Sequence, residues 1–278
     1  MVNINGEITT EEKISIHNRG LAYGDAVFET IRVIKSNIVF WEDHYFRLMA
    51  SMRIMRMEIP QKFSSEFLET EILALVKRKG WAESAVRIKV IVCRKEGGFY
   101  SPETLETNYM ISASLLQTNR YNMDTSDYEI ELFKDHFVNS GLLSSVKTNN
   151  RAINVLGSIF AQENDYQNCL LLNEKKAIVE ALNANLFLVY GNQIKTPPIP
   201  DGCINGITRK KIIEIIKKNA LFELIEESIS PFELQKADEI FLSNVIIGIR
   251  PVTKFRKKNY NFEVSSAILS MLNEKVTS

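Results

Sequence analysis

Cysteine is scarce: Cys93, Cys169 and Cys203 are odd in number and far apart in 278 residues. That pattern excludes a disulfide framework and a zinc knuckle, so no metal is implied, and it points to a reducing compartment. Net charge is absent too, because Lys and Arg number 34 and Asp and Glu number 34. A chain without net charge is no general binder of polyanions, so nucleic acid is not an expected partner and a small-molecule enzyme is. No run of about 18 apolar residues occurs, which excludes a membrane-spanning helix. Residues Met1 to Glu7 lack a cationic start and an apolar stretch, so a cytoplasmic protein with no membrane partner is expected. Internal repeats and low-complexity tracts are missing as well.

What is present reads as α+β, with mixed sheets, few helices and enough material for two domains. Asn5-Gly6 is a hairpin signal near the start, and Asn37 marks a second turn between Ile31 to Ile34 and Ile38 to Trp41. Helical spacing of Tyr45, Leu48, Met49, Met52 and Met55 predicts a helix over 41–57, and a second covers 64–79. Strands follow at 86–93 and 110–116. The polar stretch 117–126 suggests a smaller domain over 1–117, a linker over 118–126 and a larger domain over 127–278. In that second part the pattern predicts a strand at 129–133, a helix at 149–165 and hairpin strands at 169–172, 177–179, 186–190 and 193–196. Thr208 reads as the N-cap of a helix over 209–219 with Ile212, Ile213, Ile215 and Ile216 on its buried side. Ser230-Pro231-Phe232-Glu233 is a capping box with proline at its first position, and 237–242 reads as a helix end running into a strand that stops at Ser243-Asn244.

Four places carry chemistry. Lys147, in Ser145-Val146-Lys147-Thr148-Asn149-Asn150-Arg151, lies between a strand end and a helix start, where a partly desolvated amine suits Schiff-base formation; the plain alternative is a solvated surface lysine. Glu180 follows Ala177-Ile178-Val179 at the edge of an apolar sheet and wants a cationic partner, either a protonated pyridine nitrogen or a nearby lysine. Gly202-Cys203-Ile204-Asn205-Gly206-Ile207-Thr208-Arg209 puts a glycine turn before a helix, which makes a phosphate cup or an ordinary capped turn. A second cup is conceivable at Ser243-Asn244-Val245. Arg47, one helical turn after His44, offers the charged fork that phosphate favours, or is a surface arginine. Arg209, Lys210, Lys211, Lys217 and Lys218 form either a basic contact surface or the solvated face of an amphipathic helix.

The order of Tyr23 to Arg32, His44-x-x-Arg47-Leu48, Lys147-Thr148-x-Asn150, Glu180-x-x-x-Ala184-Asn185-Leu186-Phe187, Thr196-Pro197 and Gly206-Ile207-Thr208-Arg209 resembles the class IV aminotransferases. These are the fold type IV pyridoxal phosphate enzymes, which include branched-chain and D-amino acid aminotransferases and aminodeoxychorismate lyase. The resemblance runs over nearly the whole chain. It implies a two-domain fold with pyridoxal 5'-phosphate in the interdomain cleft, an amino acid-like substrate and a homodimer. By the same resemblance Lys147 is the Schiff-base lysine, Glu180 the partner of the pyridine nitrogen and Arg47 the phosphate-binding arginine. Asn185, Gly206, Ile207, Thr208, Ser243 and Asn244 then also bind the cofactor, and Tyr23, Phe28, Thr30, Arg94 and Tyr100 line the substrate side.

Departures from the family pattern are informative. Val245 stands where many transaminases have a phosphate-binding threonine. Phe99 or Tyr100 replaces the carboxylate-binding arginine of D-amino acid aminotransferases. Thr30 replaces the glycine that follows the glutamate in branched-chain enzymes. The Arg94…Gly97-Gly98…Tyr100-Ser101 loop is similar to that of aminodeoxychorismate lyase, although a further arginine usual there is missing. The expected reaction is therefore lysis to p-aminobenzoate and pyruvate, as in folate biosynthesis. The alternative is transamination with 2-oxoglutarate, of branched-chain more than D-amino acid type, and the remote one is a non-catalytic binding protein.

Overall fold

The computed structural model describes residues Met1 to Thr277, which divide into two compact units. The first holds residues 1–120 and 146–150 and the second residues 121–145 and 151–277.

The first unit is a six-stranded antiparallel sheet in the order β2-β1-β6-β5-β3-β4. In chain order it contains β1 (Val2–Ile4), β2 (Glu7–Thr9), α1 (Arg19–Ala22), β3 (Ala26–Ile34), β4 (Asn37–Ile38), α2 (Trp41–Ile54), α3 (Ser65–Arg78), β5 (Ala85–Arg94) and β6 (Thr107–Leu115). Asn5 and Gly6 take φ of 53° and 99°, as a two-residue hairpin requires. The next turn is made by Lys35 and Ser36, at 48° and 61°, so Asn37 opens β4 and does not sit in the turn. Alternation along β3 sends Val27, Ile31 and Val33 into a core with Leu48 and Met52 of α2 and Leu68, Ile72 and Leu75 of α3. Phe28 and Thr30 point to the opposite face.

The expected domain division needs one correction. Residues 146–150 were placed with the C-terminal part, but they pair with β3: Phe28 N donates to Lys147 O at 2.9 Å and Asn149 N to Ala26 O at 3.0 Å. Asn149 therefore cannot begin a helix.

The second unit contains β7 (Glu129–Val138), α4 (Ala152–Glu163), β8 (Asn168–Asn173), β9 (Ile178–Ala181), β10 (Asn185–Tyr190), β11 (Gln193–Thr196), α5 (Ile207–Lys218), β12 (Glu223–Glu226), β13 (Glu239–Asn244), β14 (Gly248–Val252), β15 (Lys254–Phe255), β16 (Lys258–Asn259) and α6 (Glu263–Thr277). They build two five-stranded sheets, β12-β11-β10-β13-β14 and β16-β15-β7-β8-β9. Leu132, Leu170, Leu172, Leu186, Leu188, Ile240 and Leu242 share the core between these sheets. The parallel pair β7/β8 needs a crossover, which α4 supplies. The stretch expected as a linker is pinned here by buried Tyr121, whose OH donates to Val245 O at 2.8 Å and whose backbone N–H donates to Asn273 Oδ1 at 3.0 Å.

Ser230 and Glu233 form the expected capping box, on a short 3-10 helix. Gly206, and not Thr208, is the N-cap of α5, because its N–H turns back to Ile204 O at 2.8 Å and Thr208 is already helical. Arg209 is buried on Pro197 O at 2.9 Å and Glu226 at 2.8 Å, and Glu226 and Glu214 also pair with Lys217 and Lys211. Acids of the fold thus offset part of the basic helix face. Among the described residues no helix is long and apolar enough to cross a membrane.

Buried Glu239 ties α6 to β13, accepting Val264 N–H at 2.7 Å and Ser265 N–H at 3.0 Å in the first turn of α6. Glu239→Ala should cost about 1–3 kcal/mol of unfolding free energy, because it orphans a buried and a half-buried amide. Urea denaturation checks this; an unchanged midpoint would show that the carboxylate does not anchor the helix.

Candidate active site

In the second unit the chemistry gathers at the start of α5. Glu180, on β9, is buried, and its Oε2 accepts Ile204 N–H at 3.0 Å and Asn185 Nδ2 at 3.4 Å. Asn185 Nδ2 also donates to Ile204 O at 2.9 Å, so β9, β10 and the turn before α5 are knotted together. A Cβ on Gly206 would lie 2.0 Å from Asn185 Oδ1, which is why this position carries no side chain. Asn185 pairs across the sheet with Ser243. The hydroxyls of Thr208 and Ser243, each on a residue 1% exposed, have no hydrogen-bond partner among the described residues. Asn244 folds over its own chain, accepting Ile246 and Ile247 N–H and donating to Asn183 O at 3.1 Å. Cys203 is pushed up to about 12 by burial and by the charge of Glu180, so it stays a neutral thiol.

In the first unit the predicted residues fall into three groups. Lys147 Nζ lies 4.3 Å from the Phe28 ring centroid, and Lys89 Nζ lies 4.9 Å from the same ring. Thr30 faces Lys89 across β3 and β5. The second group is Arg19, Tyr23 and Tyr100: the guanidinium lies 4.9 Å from the Tyr23 centroid, and the two tyrosine rings are 5.7 Å apart. Arg94 was expected at the substrate side, yet its guanidinium is engaged by Asp25 at 2.9 Å and by the carbonyls of Arg56 at 2.9 Å and Met55 at 2.7 Å. It acts as a strut between β5 and the end of α2.

The third group centres on Glu29. Arg47 grips both its oxygens, with Nε at 2.7 Å and Nη2 at 2.6 Å, and His44 Nδ1 lies 2.7 Å from Oε2. Burial would raise the Glu29 carboxyl, but Arg47 and His44 hold it down at about 2. His44 is lowered by its own burial, and Glu29 only partly opposes this. A proton on its Nε2, which has no partner among the described residues, would find no acceptor; His44 is therefore neutral and donates from Nδ1.

Known proteins resemble this chain over nearly its whole length. The family model for amino-transferase class IV matches residues 26–255. The chain belongs to the class IV aminotransferases. It is 28% identical over 274 residues to a probable branched-chain-amino-acid aminotransferase of Aquifex aeolicus, covering 95% of this chain and 86% of the other. It is 24% identical over 247 residues to an aminodeoxychorismate lyase of Vibrio harveyi, covering 86% of each. Its fold superposes with a TM-score of 0.86 on a branched-chain aminotransferase of Thermoproteus uzoniensis, at 23% identity and covering 97% of this chain and 92% of that one; another, from Thermobaculum terrenum in its PLP-form, gives 0.87 at 23% identity, covering 99% of this chain and 93% of that one.

Class IV aminotransferases use pyridoxal phosphate, and this chain is a pyridoxal phosphate-dependent transaminase or lyase. The residues present fit that group. At the start of α5 a helix dipole, backbone amides and the unpartnered hydroxyl of Thr208 offer donors to a phosphate, with no acid in the first turn. Sequence reasoning missed Glu29, Arg19 and Lys89. The one available signal was a glutamate at an inward position of an otherwise apolar strand face, which demands a buried cation.

The Glu29 cluster sets a pH dependence. Because the folded carboxyl lies near 2 and the ordinary value is 4.5, its contribution is present above pH 4.5 and is lost as pH falls toward 2. That contribution is on the order of 3 kcal/mol. The stability gap between wild type and Glu29→Gln should therefore be greatest above pH 4.5 and close toward pH 2 in urea titrations. A gap independent of pH would refute the buried ion pair.

Proposed function

We propose that this chain is a lyase that cleaves aminodeoxychorismate to p-aminobenzoate and pyruvate. One observation carries the reading. Arg87 and Lys89 lie two residues apart on β5, on the sheet face that carries Phe28 of β3 with Lys147 over its ring, and among the described residues neither side chain has an ion-pair or hydrogen-bond partner. Burial and the charge of Arg87 lower Lys89, the mark of a cation in need of an anion. A substrate carrying two carboxylates supplies such anions, whereas a branched alkyl side chain gains nothing there.

Bound pyridoxal phosphate supplies an electron sink for negative charge at the substrate Cα. The residues of this chain supply the rest. Thr208 Oγ1 and the first amides of α5 would hold the phosphate, and Glu180 would keep a proton on the ring nitrogen. Asn185 and the Ile204 amide orient Glu180 for that task. Lys147 Nζ takes the Cα proton, and its position beside Phe28 is fixed by backbone hydrogen bonds to β3. Tyr23, Phe28, Thr30 and Tyr100 face the substrate, with Lys89 and Arg87 receiving its carboxylates. Val155, Leu156 and Ile159 of α4, together with Leu142 and Leu143, are exposed apolar side chains, which supports a homodimer covering them.

A second reading has its own support. The branched-chain relative matches at 28% over 95% of the chain, and the carboxylates of 2-oxoglutarate would use the same cations. Purified protein incubated with pyridoxal phosphate should show a visible absorption band that Lys147→Ala loses or shifts. Aminodeoxychorismate should then yield pyruvate with no 2-oxo acid acceptor, and Lys89→Met should raise KM about tenfold or more. Keto acid formation that requires 2-oxoglutarate, with no pyruvate from aminodeoxychorismate, would replace the lyase by the transaminase.

A further inference from the structure

We propose that Arg19 is a positioning residue: it clamps the loop of residues 95–103 and thereby sets Tyr100 against Tyr23 for substrate recognition. The proposal rests on the reading above that these two tyrosines face the substrate.

The clamp is built from part-buried polar contacts of a buried arginine. Arg19 is 3% exposed. Its Nη1 donates to three successive carbonyls of the loop, Gly97 at 3.1 Å, Gly98 at 3.1 Å and Phe99 at 2.6 Å. On its other edge Nε donates to Asp25 Oδ2 at 3.0 Å, and the same oxygen accepts Arg94 Nε at 2.9 Å. Arg94 continues to the carbonyls of Met55 and Arg56 where α2 ends. A line of charge-assisted hydrogen bonds therefore runs from the loop into the framework of the first unit.

The loop needs such a fixture because it has no core of its own. Gly97 and Gly98 hold φ of 114° and 71°, and a Cβ on Gly98 would lie 2.2 Å from Ser101 O. Lys95 N–H to Glu106 O at 2.9 Å closes the base, and a bridge joins Gly98 to Pro102. The tip nevertheless carries Phe99 and Tyr100 at 83% and 91% exposure. Large aromatics held out on a rigid loop mark a recognition surface. Arg19 lies over the Tyr23 ring, and the Tyr100 ring meets that of Tyr23 at a tilt of 56°, so the guanidinium that orders the loop backbone also seats the aromatic pair. A lysine, with a compact charge and no planar fork, could not serve both.

The test compares wild type with Arg19→Met and Arg19→Lys by amide hydrogen exchange over residues 95–103, beside steady-state kinetics. Both variants should exchange at least about tenfold faster in the loop. Both should raise KM about tenfold with kcat changed less than about threefold. Tyr100→Ala should raise KM alike with loop exchange nearly unchanged, and adding it to Arg19→Met should bring little further loss. Should Arg19→Met fold poorly, Gly98→Ala disturbs the loop with Arg19 intact and should reproduce both effects. Unchanged exchange in folded Arg19 variants overturns the clamp, and faster exchange with an unmoved KM overturns its role in recognition. Absence of both pyruvate release and transamination in wild type would remove the reaction assigned above, while the exchange result still decides the clamp.

Discussion

The pairing of residues 146–150 with β3 is the constraint from which the rest of the first unit's chemistry follows. Two backbone hydrogen bonds, from Phe28 N–H to Lys147 O and from Asn149 N–H to Ala26 O, fix the lysine against one strand. Side chains alternate along that strand, so neighbouring residues have opposite duties. Phe28 faces outward beneath the Lys147 amine, and Glu29 faces inward to Arg47 and His44. A slip of one residue in register would turn the glutamate outward and the phenylalanine into the core. The antiparallel ladder between β3 and β5 runs unbroken from Ala26↔Cys93 to Ile34↔Ala85, and this holds the register.

Two buried ionic clusters reinforce the frame from different directions. Glu29 with Arg47 and His44 joins β3 to α2 in the interior. Asp25 with Arg19 and Arg94 joins the start of β3 to the end of β5, the end of α2 and the glycine loop. Buried pairs of this kind contribute little net stability over apolar packing, because desolvation offsets most of the attraction. Their worth is directional: each arginine fork satisfies acceptors that lie far apart in sequence, and no apolar side chain could order three loop carbonyls. Arg32, on the outward face of β3, reaches the carbonyl of Thr118 in the same manner.

Local signals in the sequence were legible where the physics is local. Asn5-Gly6, the capping box at Ser230 and the apolar periods of α2, α3 and α5 each act within a few residues, and each appears where the pattern placed it. Long-range pairing was not legible. Nothing near Asn149 states that its amide bonds to Ala26, so the helix after it was read three residues too early. Thr208 was read as a cap because threonine in that place usually is one; the tight Ile204–Gly206 turn advanced the helix start and left the hydroxyl inside. Lys89 carries no local signal, since only the fold shows that no acid among the described residues pairs with it. The family motifs singled out Lys147, Glu180 and Arg47 as candidates but not Arg19, whose loop partners are carbonyls and leave no side-chain signature.

The hydroxyls of Thr208 and Ser243 connect stability to chemistry in the second unit. A buried donor without a partner costs about 1–3 kcal/mol, and these two lie at the ends of α5 and β13 that the Glu180–Asn185–Gly206 knot holds in place. Either hydroxyl could be replaced by an apolar group of similar shape at little cost to folding, and as unpartnered buried donors both suit a ligand that accepts their hydrogen bonds. A phosphate at the start of α5 would do so, and the same contacts would lower the free energy of the folded unit relative to the unfolded chain, which has no such cradle. The polar knot is then a preorganised site, and the binding energy that the cofactor would otherwise lose in ordering loops remains available for affinity.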